Sequence, residues 1–264
     1  MQPLAAWPAA ARRGLVGVFT DIDDTLTTEG AITGDALAAL AALRAAGLRR
    51  VAITGRPVGW SLPFVGVWPV DAIVAENGAV ALLPLGDGRV EKRYQQDAPT
   101  RERQFARMQA VLARIEREIP GARRATDSAG RECDIAIDHS EFTRLDDAGI
   151  AAVVALMRQE GMHATVSSIH VNGWYGEHDK LEGARWIVRE LWGARLDDEL
   201  PRWAYVGDST NDALMFAHFE HSIGVANVRR FEAALPQLPR YVTLQERGAG
   251  FAEVAAAVLA VTGC

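Results

Sequence analysis

Cysteine is almost absent from this 264-residue chain; only Cys133 and Cys264 occur. Two such residues are too few for a disulfide framework, and neither lies in a Cys/His cluster of the kind that holds zinc. Long apolar runs are missing as well, and none approaches the roughly 20 residues needed to span a bilayer. Residues 1–13 are partly apolar, but Pro3 and Pro8 interrupt them. Their arginines follow the apolar stretch, the reverse of a secretory leader. A basic excess is also lacking. The formal net charge is −6, and Lys and Arg are scattered among acids without the stripe expected of a nucleic-acid binder. No low-complexity tract points to disorder, and no internal repeat is visible. These absences leave a cytoplasmic enzyme or binding protein as the expectation, with neither nucleic acid nor membrane as a partner.

What remains is an ordinary globular composition, 49% hydrophobic and 23% charged, long enough for one large domain or two smaller ones. Residues 15–20 (LVGVFT) form a nearly continuous apolar run, which reads as a strand buried on both faces of a parallel sheet. Asp21, Asp23 and Asp24 follow it. An Ala/Leu-rich helix is expected over 33–46, stopped by Gly47. Further buried strands are expected over 50–53, leading to Thr54, Gly55 and Arg56, and over 72–75, leading to Glu76, Asn77 and Gly78. Strand, helix, strand is the rhythm of a doubly wound α/β fold.

The middle of the chain differs. Residues 80–85 and 90–95, around Gly86-Asp87-Gly88, read as a hairpin. A helix is expected over 100–119, a strand with one exposed face over 133–138, a helix over 146–160 and one strand over 164–171. Together they suggest a small α+β domain at 82–175. The α/β texture returns with a helix over 181–191, strands over 204–206 and 222–225, and a closing helix over 251–261. Residues 1–81 and 176–264 thus form one Rossmann-like core, and the α+β domain is an insertion into it.

Ligands of open α/β sheets bind beyond the carboxyl ends of the strands. Three strands deliver polar clusters there: Asp21-Ile22-Asp23-Asp24-Thr25, Thr54-Gly55-Arg56, and Gly207-Asp208-Ser209-Thr210-Asn211-Asp212. Gathering four or more carboxylates in one crevice is unfavourable unless a cation offsets them. Hard oxygen ligands suit Mg²⁺. Asp21 and Asp23 are two residues apart and share a side of an extended segment. One can attack while the other exchanges protons with a leaving group, which divides the reaction through an aspartyl-phosphate. Each pair alone also suits a helix cap or turn; the joint occurrence at strand ends favours chemistry.

With these motifs in this order, the sequence resembles the haloacid dehalogenase-like superfamily of aspartate-nucleophile phosphatases, over nearly its whole length. The resemblance implies Asp21 as nucleophile and Asp23 as general acid/base. It implies Thr54, with Gly55, as binding the phosphoryl group, and Lys180, within His178-Asp179-Lys180-Leu181-Glu182-Gly183, as holding nucleophile and phosphate. Asp208 and Asp212 would position magnesium with Asp21 and the main-chain carbonyl of Asp23. The insertion lies between the second and third motifs and looks like the second cap type, subtype B. That branch includes sucrose-phosphate, mannosyl-phosphoglycerate and trehalose-phosphate phosphatases and eukaryotic phosphomannomutases. Glu76-Asn77-Gly78-Ala79 resembles its segment entering the cap. Ser209 stands where many relatives have glycine.

The resemblance implies a magnesium-dependent phosphatase acting on a small phosphorylated metabolite, with a sugar phosphate, or the phosphate ester of a sugar acid, the favoured class. A phosphotransferase or mutase of the same fold is the nearest alternative, and a noncatalytic metabolite-binding module is the rival from another class. Arg56 either faces substrate or pairs with an acid, and Asn77 either lines the entrance or makes a turn. Asn172 lies in the Asn-, Gly- and aromatic-rich run 170–178, which either touches substrate or packs a hinge. Asn211 is expected to shape the metal loop, and Asp24 and Thr25 to support the turn. The remaining histidines show no ligand spacing.

Overall fold

Each run read as a buried parallel strand is one in the computed structural model, which describes residues 1–262; Cys264 lies outside them. Gly17–Thr20 is flanked by Trp203–Gly207 and Arg49–Ile53 and is buried along its whole length. Its side chains alternate between two cores, Val18 on one face of the sheet and Phe19 on the other. A strand with apolar neighbours on both faces has no polar face to show, which is why its sequence reads as continuous rather than alternating. The full sheet has nine strands, in the order Gln2–Pro3, Tyr241–Val242, His221–Gly224, Trp203–Gly207, Gly17–Thr20, Arg49–Ile53, Ala72–Ala75, Val80–Pro84 and Val90–Tyr94. The first seven run parallel; Val80–Pro84 pairs antiparallel with Ala72–Ala75, and Val90–Tyr94 antiparallel with Val80–Pro84.

One face carries the helices Gly34–Ala45 and Arg247–Thr262, which bury Leu40, Leu43, Phe251, Val254 and Val258 against Val18 and Ile22. The other carries Lys180–Trp192 and Ala213–His218, with Ile187, Val188 and Phe216 against Phe19, Trp203 and Tyr205. Each fully buried large side chain contributes roughly 1.5–3 kcal/mol. The helix Lys180–Trp192 approaches the sheet closely where Gly183 meets Gly78. A Cβ on Gly78, which has φ +105°, would lie 2.1 Å from the Asp179 carbonyl oxygen. That contact seats the start of the helix at the carboxyl edge of the sheet.

A second, antiparallel sheet of four strands, in the order His163–Val166, His170–Trp174, Ile135–Asp138 and Arg123–Arg124, packs against the helices Ala98–Glu118 and Asp147–Gln159. Three sequence expectations change here. The hairpin at 80–94 pairs through Ala72–Ala75 into the large sheet, so the expected boundary at residue 82 cuts through a hairpin that continues the core. The stretch 164–171 is two strands joined by a turn, not one. Ser167 Oγ accepts from the His170 backbone N–H at 3.0 Å, and Ser167 N–H donates to the His170 carbonyl at 2.8 Å. Lastly, Ile135–Asp138 exposes neither face. One face packs on the helices, and Asp134, adjoining the other, is sealed against the large domain.

That seal is polar. The Glu76 carboxylate, 0% exposed, accepts the backbone N–H of Val58 at 3.0 Å, of Glu132 at 3.0 Å and of Asp134 at 3.2 Å, and that of Cys133. Arg131 bonds Asp134 at 2.7 Å and the Gly55 carbonyl at 3.1 Å. Backbones touch directly at Gly59 and Gly130, where a Cβ on Gly59 would meet the Gly130 Cα at 2.6 Å.

Candidate active site

The carboxyl ends of the parallel strands place Asp21 after Thr20, Thr54 after Ile53 and Asp208 after Gly207 along one edge. Asp21 N–H donates to the Val206 carbonyl at 2.9 Å, which ties the two loops together. Lys180 arrives from the other side as the first residue of its helix, whose N-cap Asp179 accepts from Glu182 N–H at 2.8 Å. A cation at a helix N-terminus opposes the macrodipole. Two carboxylates compensate: Lys180 Nζ donates to Asp21 Oδ1 at 2.8 Å and to Asp212 Oδ1 at 2.7 Å. All three groups are buried.

Asp21, Asp208 and Asp212 each offer an oxygen within 4.8 Å of the others. Asp212 is already fully engaged: Oδ1 also accepts from Tyr205 Oη, and Oδ2 takes the N–H groups of Asp208 at 2.9 Å and Ser209 at 3.1 Å. Ser209 and Asp212 form a capping box that shapes this loop. Asp208 Oδ2 accepts from Asn227 Nδ2 at 3.2 Å. Asp208 Oδ1, however, is buried without a hydrogen-bond partner among the described residues. An unpartnered carboxylate oxygen inside a protein is a costly group. It lies among other carboxylates, and an all-oxygen set of this kind fits a hard divalent cation.

The electrostatics agree with that fit. Burial pushes the Asp21 carboxyl up to about 7 even with Lys180 beside it. Burial, with Asp212 and Asp21 nearby, raises Asp208 well above the carboxylate range. Burial also works against the Lys180 charge, but Asp21 and Asp212 more than offset it and hold the ammonium above its ordinary value. One lysine therefore faces more negative charge than it neutralises.

Asp23 turns elsewhere. Its carboxylate is outside the three-aspartate cluster and is gripped by Arg56, with Nε donating at 2.9 Å to both oxygens and Nη2 at 2.8 Å to Oδ1. Arg56 also reaches the smaller domain, at 2.7 Å to Glu141 and 3.3 Å to Asp127, and stacks over Trp60 at 4.8 Å. Asp23 and Arg56 line a cavity of about 590 Å³ between the two domains, together with Asp24, Trp60, Glu141 and Phe142. Thr54 is buried, and its Oγ1 accepts from Arg56 N–H at 3.0 Å, which leaves its own proton free to donate. Asp24, at φ +53°, pairs with Arg247 at 2.9 Å.

Asp21, Lys180, Asp208 and Asp212 thus come together, with Thr54 and Gly55 on the neighbouring strand end. Asn77 and Asn172 do not reach the large cavity; both bond Asp134, at 3.4 and 3.0 Å. Asn77 does line a smaller cavity of about 190 Å³ that also touches Lys180 and Asn211. Asn211 accepts from Ser209 Oγ at 2.9 Å, within the loop. Asn227, Tyr205 and Glu141 had not been singled out. Asn227 follows a parallel strand end, the same signal that identified Asp21, and holds both Asp208 and the Asp24 carbonyl.

Residues 18–101 match the profile of the haloacid dehalogenase-like hydrolase family. No curated protein matches the chain significantly. Among solved structures, a Thermoplasma acidophilum protein is 16% identical, with 92% of this chain and 98% of that one covered at a TM-score of 0.69. A HAD/COF-like hydrolase from Plasmodium vivax is 14% identical, covering 96% and 98% at 0.69. The sucrose-phosphatase of Synechocystis sp., crystallised with sucrose and phosphate, is 15% identical, covering 93% and 98% at 0.65. The α/β fold with its inserted second domain is shared with these proteins, and the resemblance to haloacid dehalogenase-like hydrolases holds.

Proposed function

We propose that this chain is a magnesium-dependent phosphatase that hydrolyses a small phosphorylated metabolite, a sugar phosphate by preference, through a phosphorylated Asp21. The observation that carries this reading is the buried Asp21–Lys180–Asp212 triad beside the unpartnered Asp208 oxygen. Asp21 and Asp208 supply the oxygens that would hold Mg²⁺, with Asp212 orienting Lys180 and the loop behind them and the Asp23 carbonyl as the expected main-chain ligand. Bound there, Mg²⁺ would neutralise phosphoryl charge and keep Asp21 ionised.

Lys180 fixes one oxygen of Asp21, which leaves the other to attack phosphorus. The Asp21–phosphorus bond forms as the bond from phosphorus to the ester oxygen breaks. Asp23, two residues on and facing the cavity, protonates the departing oxygen. It then takes a proton from water, whose oxygen attacks phosphorus and releases inorganic phosphate and free Asp21. Thr54 and Gly55 hold the transferring group. Protonated Asp23 cannot accept every hydrogen bond that Arg56 offers in this structure, so the Arg56–Asp23 grip loosens as the alcohol enters. The inserted domain, which we place at 97–175 to leave the hairpin with the core, covers the cavity and excludes water.

The test is phosphate release from a panel of sugar phosphates, with and without Mg²⁺, for the native protein and Asp21→Asn. Turnover that needs Mg²⁺ and disappears in the variant is expected. Equal turnover by both proteins removes Asp21 from the chemistry.

A further inference from the structure

The walls of the large cavity carry an uneven charge. Four carboxylates line it, Asp23, Asp24, Glu29 and Glu141, against two guanidiniums, Arg56 and Arg247. Neither guanidinium is free, because Arg247 pairs with Asp24 and Arg56 with Asp23, Glu141 and Asp127. Glu29 forms no ion pair among the described residues and stands exposed at the rim. Asp21 and Lys180, which would take the phosphoryl group, do not line this cavity, whereas Asp23, two residues from Asp21, does. The part of a substrate that fills this cavity is therefore the alcohol, and it meets excess negative charge.

Glu141 is held in place. It lies on an irregular loop whose shape is set by Asp138, 1% exposed. The Asp138 carboxylate accepts four successive backbone N–H groups, from Ser140 at 3.0 Å, Glu141 at 2.8 Å, Phe142 at 2.9 Å and Thr143 at 3.1 Å. Ser140 Oγ donates to the Ser168 carbonyl at 2.7 Å. The Glu141 side chain is bound at 2.9 Å by His170 and at 2.7 Å by Arg56. Burial would raise its carboxyl, but these partners bring it down to about 2, so it stays ionised. Beside it, Phe142 is 70% exposed at the cavity wall, an aromatic that the fold does not use. Trp60 lines the core side. Fixed carboxylates beside an exposed aromatic suit a polyol ring, whose hydroxyls donate to the acids while a C–H face lies on Phe142.

We propose that this cavity selects esters whose alcohol is uncharged or cationic, a neutral or amino sugar, and rejects alcohols bearing a carboxylate or second phosphate, with Glu141 as the residue that enforces the choice. This rests on the phosphatase reading above and narrows it, since a sugar-acid ester would otherwise be as acceptable as a sugar ester.

The experiment compares kcat/KM within matched pairs, glycerol 3-phosphate against 3-phosphoglycerate and glucose 6-phosphate against 6-phosphogluconate, with glucosamine 6-phosphate added. p-Nitrophenyl phosphate reports on the chemistry alone. Native enzyme should favour the uncharged member of each pair by about tenfold or more, with glucosamine 6-phosphate at least as good as glucose 6-phosphate. Glu141→Gln should lower that preference severalfold. Glu29→Lys, at an exposed position where folding is not at stake, should lower it in the same direction. A native preference for the anionic members, or a ratio unmoved by both substitutions, overturns the proposal. If no ester releases phosphate, p-nitrophenyl phosphate included, the phosphatase reading fails and takes this inference with it.

Discussion

Replacing Lys180 by methionine keeps the length of the side chain and removes the positive charge between two buried acids. In the native protein its ammonium lies 2.8 Å from Asp21 and 2.7 Å from Asp212, with side-chain exposures of 3%, 5% and 0%. Breaking a buried ion pair by deleting one partner is destabilising by about 3–5 kcal/mol, because the other charge is left in a poor solvent. Here the loss depends on pH. Asp212 keeps Tyr205 and two backbone N–H donors, so the group left uncompensated is Asp21. Its carboxyl is already raised to about 7 by burial, and removing the lysine raises it further. A carboxyl raised in the folded state contributes stability below its unfolded pKa and loses it as pH rises through the folded value. At pH 5.5, Lys180→Met should therefore lose roughly half or less of what it loses at pH 8, where the full ~3–5 kcal/mol appears. Urea unfolding with a chelator present measures both values. Added Mg²⁺ should recover part of the pH 8 loss without restoring turnover. A variant within about 1 kcal/mol of native at pH 8 in chelator would show that Lys180 does not offset the Asp21 charge.

The same electrostatics bear on the native protein, whose melting temperature in chelator should fall as pH rises from about 4 to about 7, the interval over which Asp21 is raised. Mg²⁺ should raise the melting temperature more at pH 8 than at pH 5; a pH-independent gain would contradict this. Asp208→Asn removes a buried charge whose Oδ1 has no partner among the described residues. The metal-free variant should be no less stable than native, yet its Mg²⁺ affinity, followed by thermal shift, should drop more than about tenfold. Glu76→Ala orphans the N–H groups of Val58, Glu132, Cys133 and Asp134. It should be destabilising by at least about 3 kcal/mol in urea, with faster hydrogen exchange at residues 132–134; unchanged exchange there would sink the idea that Glu76 joins the domains.

The strand ends were legible for a physical reason. Parallel strands buried on both faces are continuous apolar runs, so the polar residue that ends each run marks the carboxyl edge of the sheet, as at Asp21, Thr54 and Asp208. Lys180 was not legible that way. A lysine at the start of a helix contradicts the macrodipole, and only the resemblance of its surrounding motif drew attention to it. The turn at Ser167 escaped notice because a serine hydroxyl, not Gly or Asn, closes it. The exposed face expected at 133–138 was misread because Asp134 is matched by Arg131, Asn77 and Asn172 from distant parts of the chain. A buried, paired aspartate looks identical in sequence to a solvated one. Glu141 lies in a loop with no periodicity, shaped by a carboxylate three residues earlier, and the pairing of the 80–94 hairpin is likewise non-local. Both become visible only once the two domains are assembled.

In the proposed mechanism phosphorus passes through Asp21. The most direct measurement is to quench the native enzyme with acid during turnover of its best ester, reduce the protein with borohydride, and map the product by mass spectrometry. An acyl phosphate at position 21 is reduced to homoserine, so that mass change is expected at residue 21, only with substrate and Mg²⁺ present. Steady turnover with Asp21 unmodified, or with the modification at another residue, would contradict it.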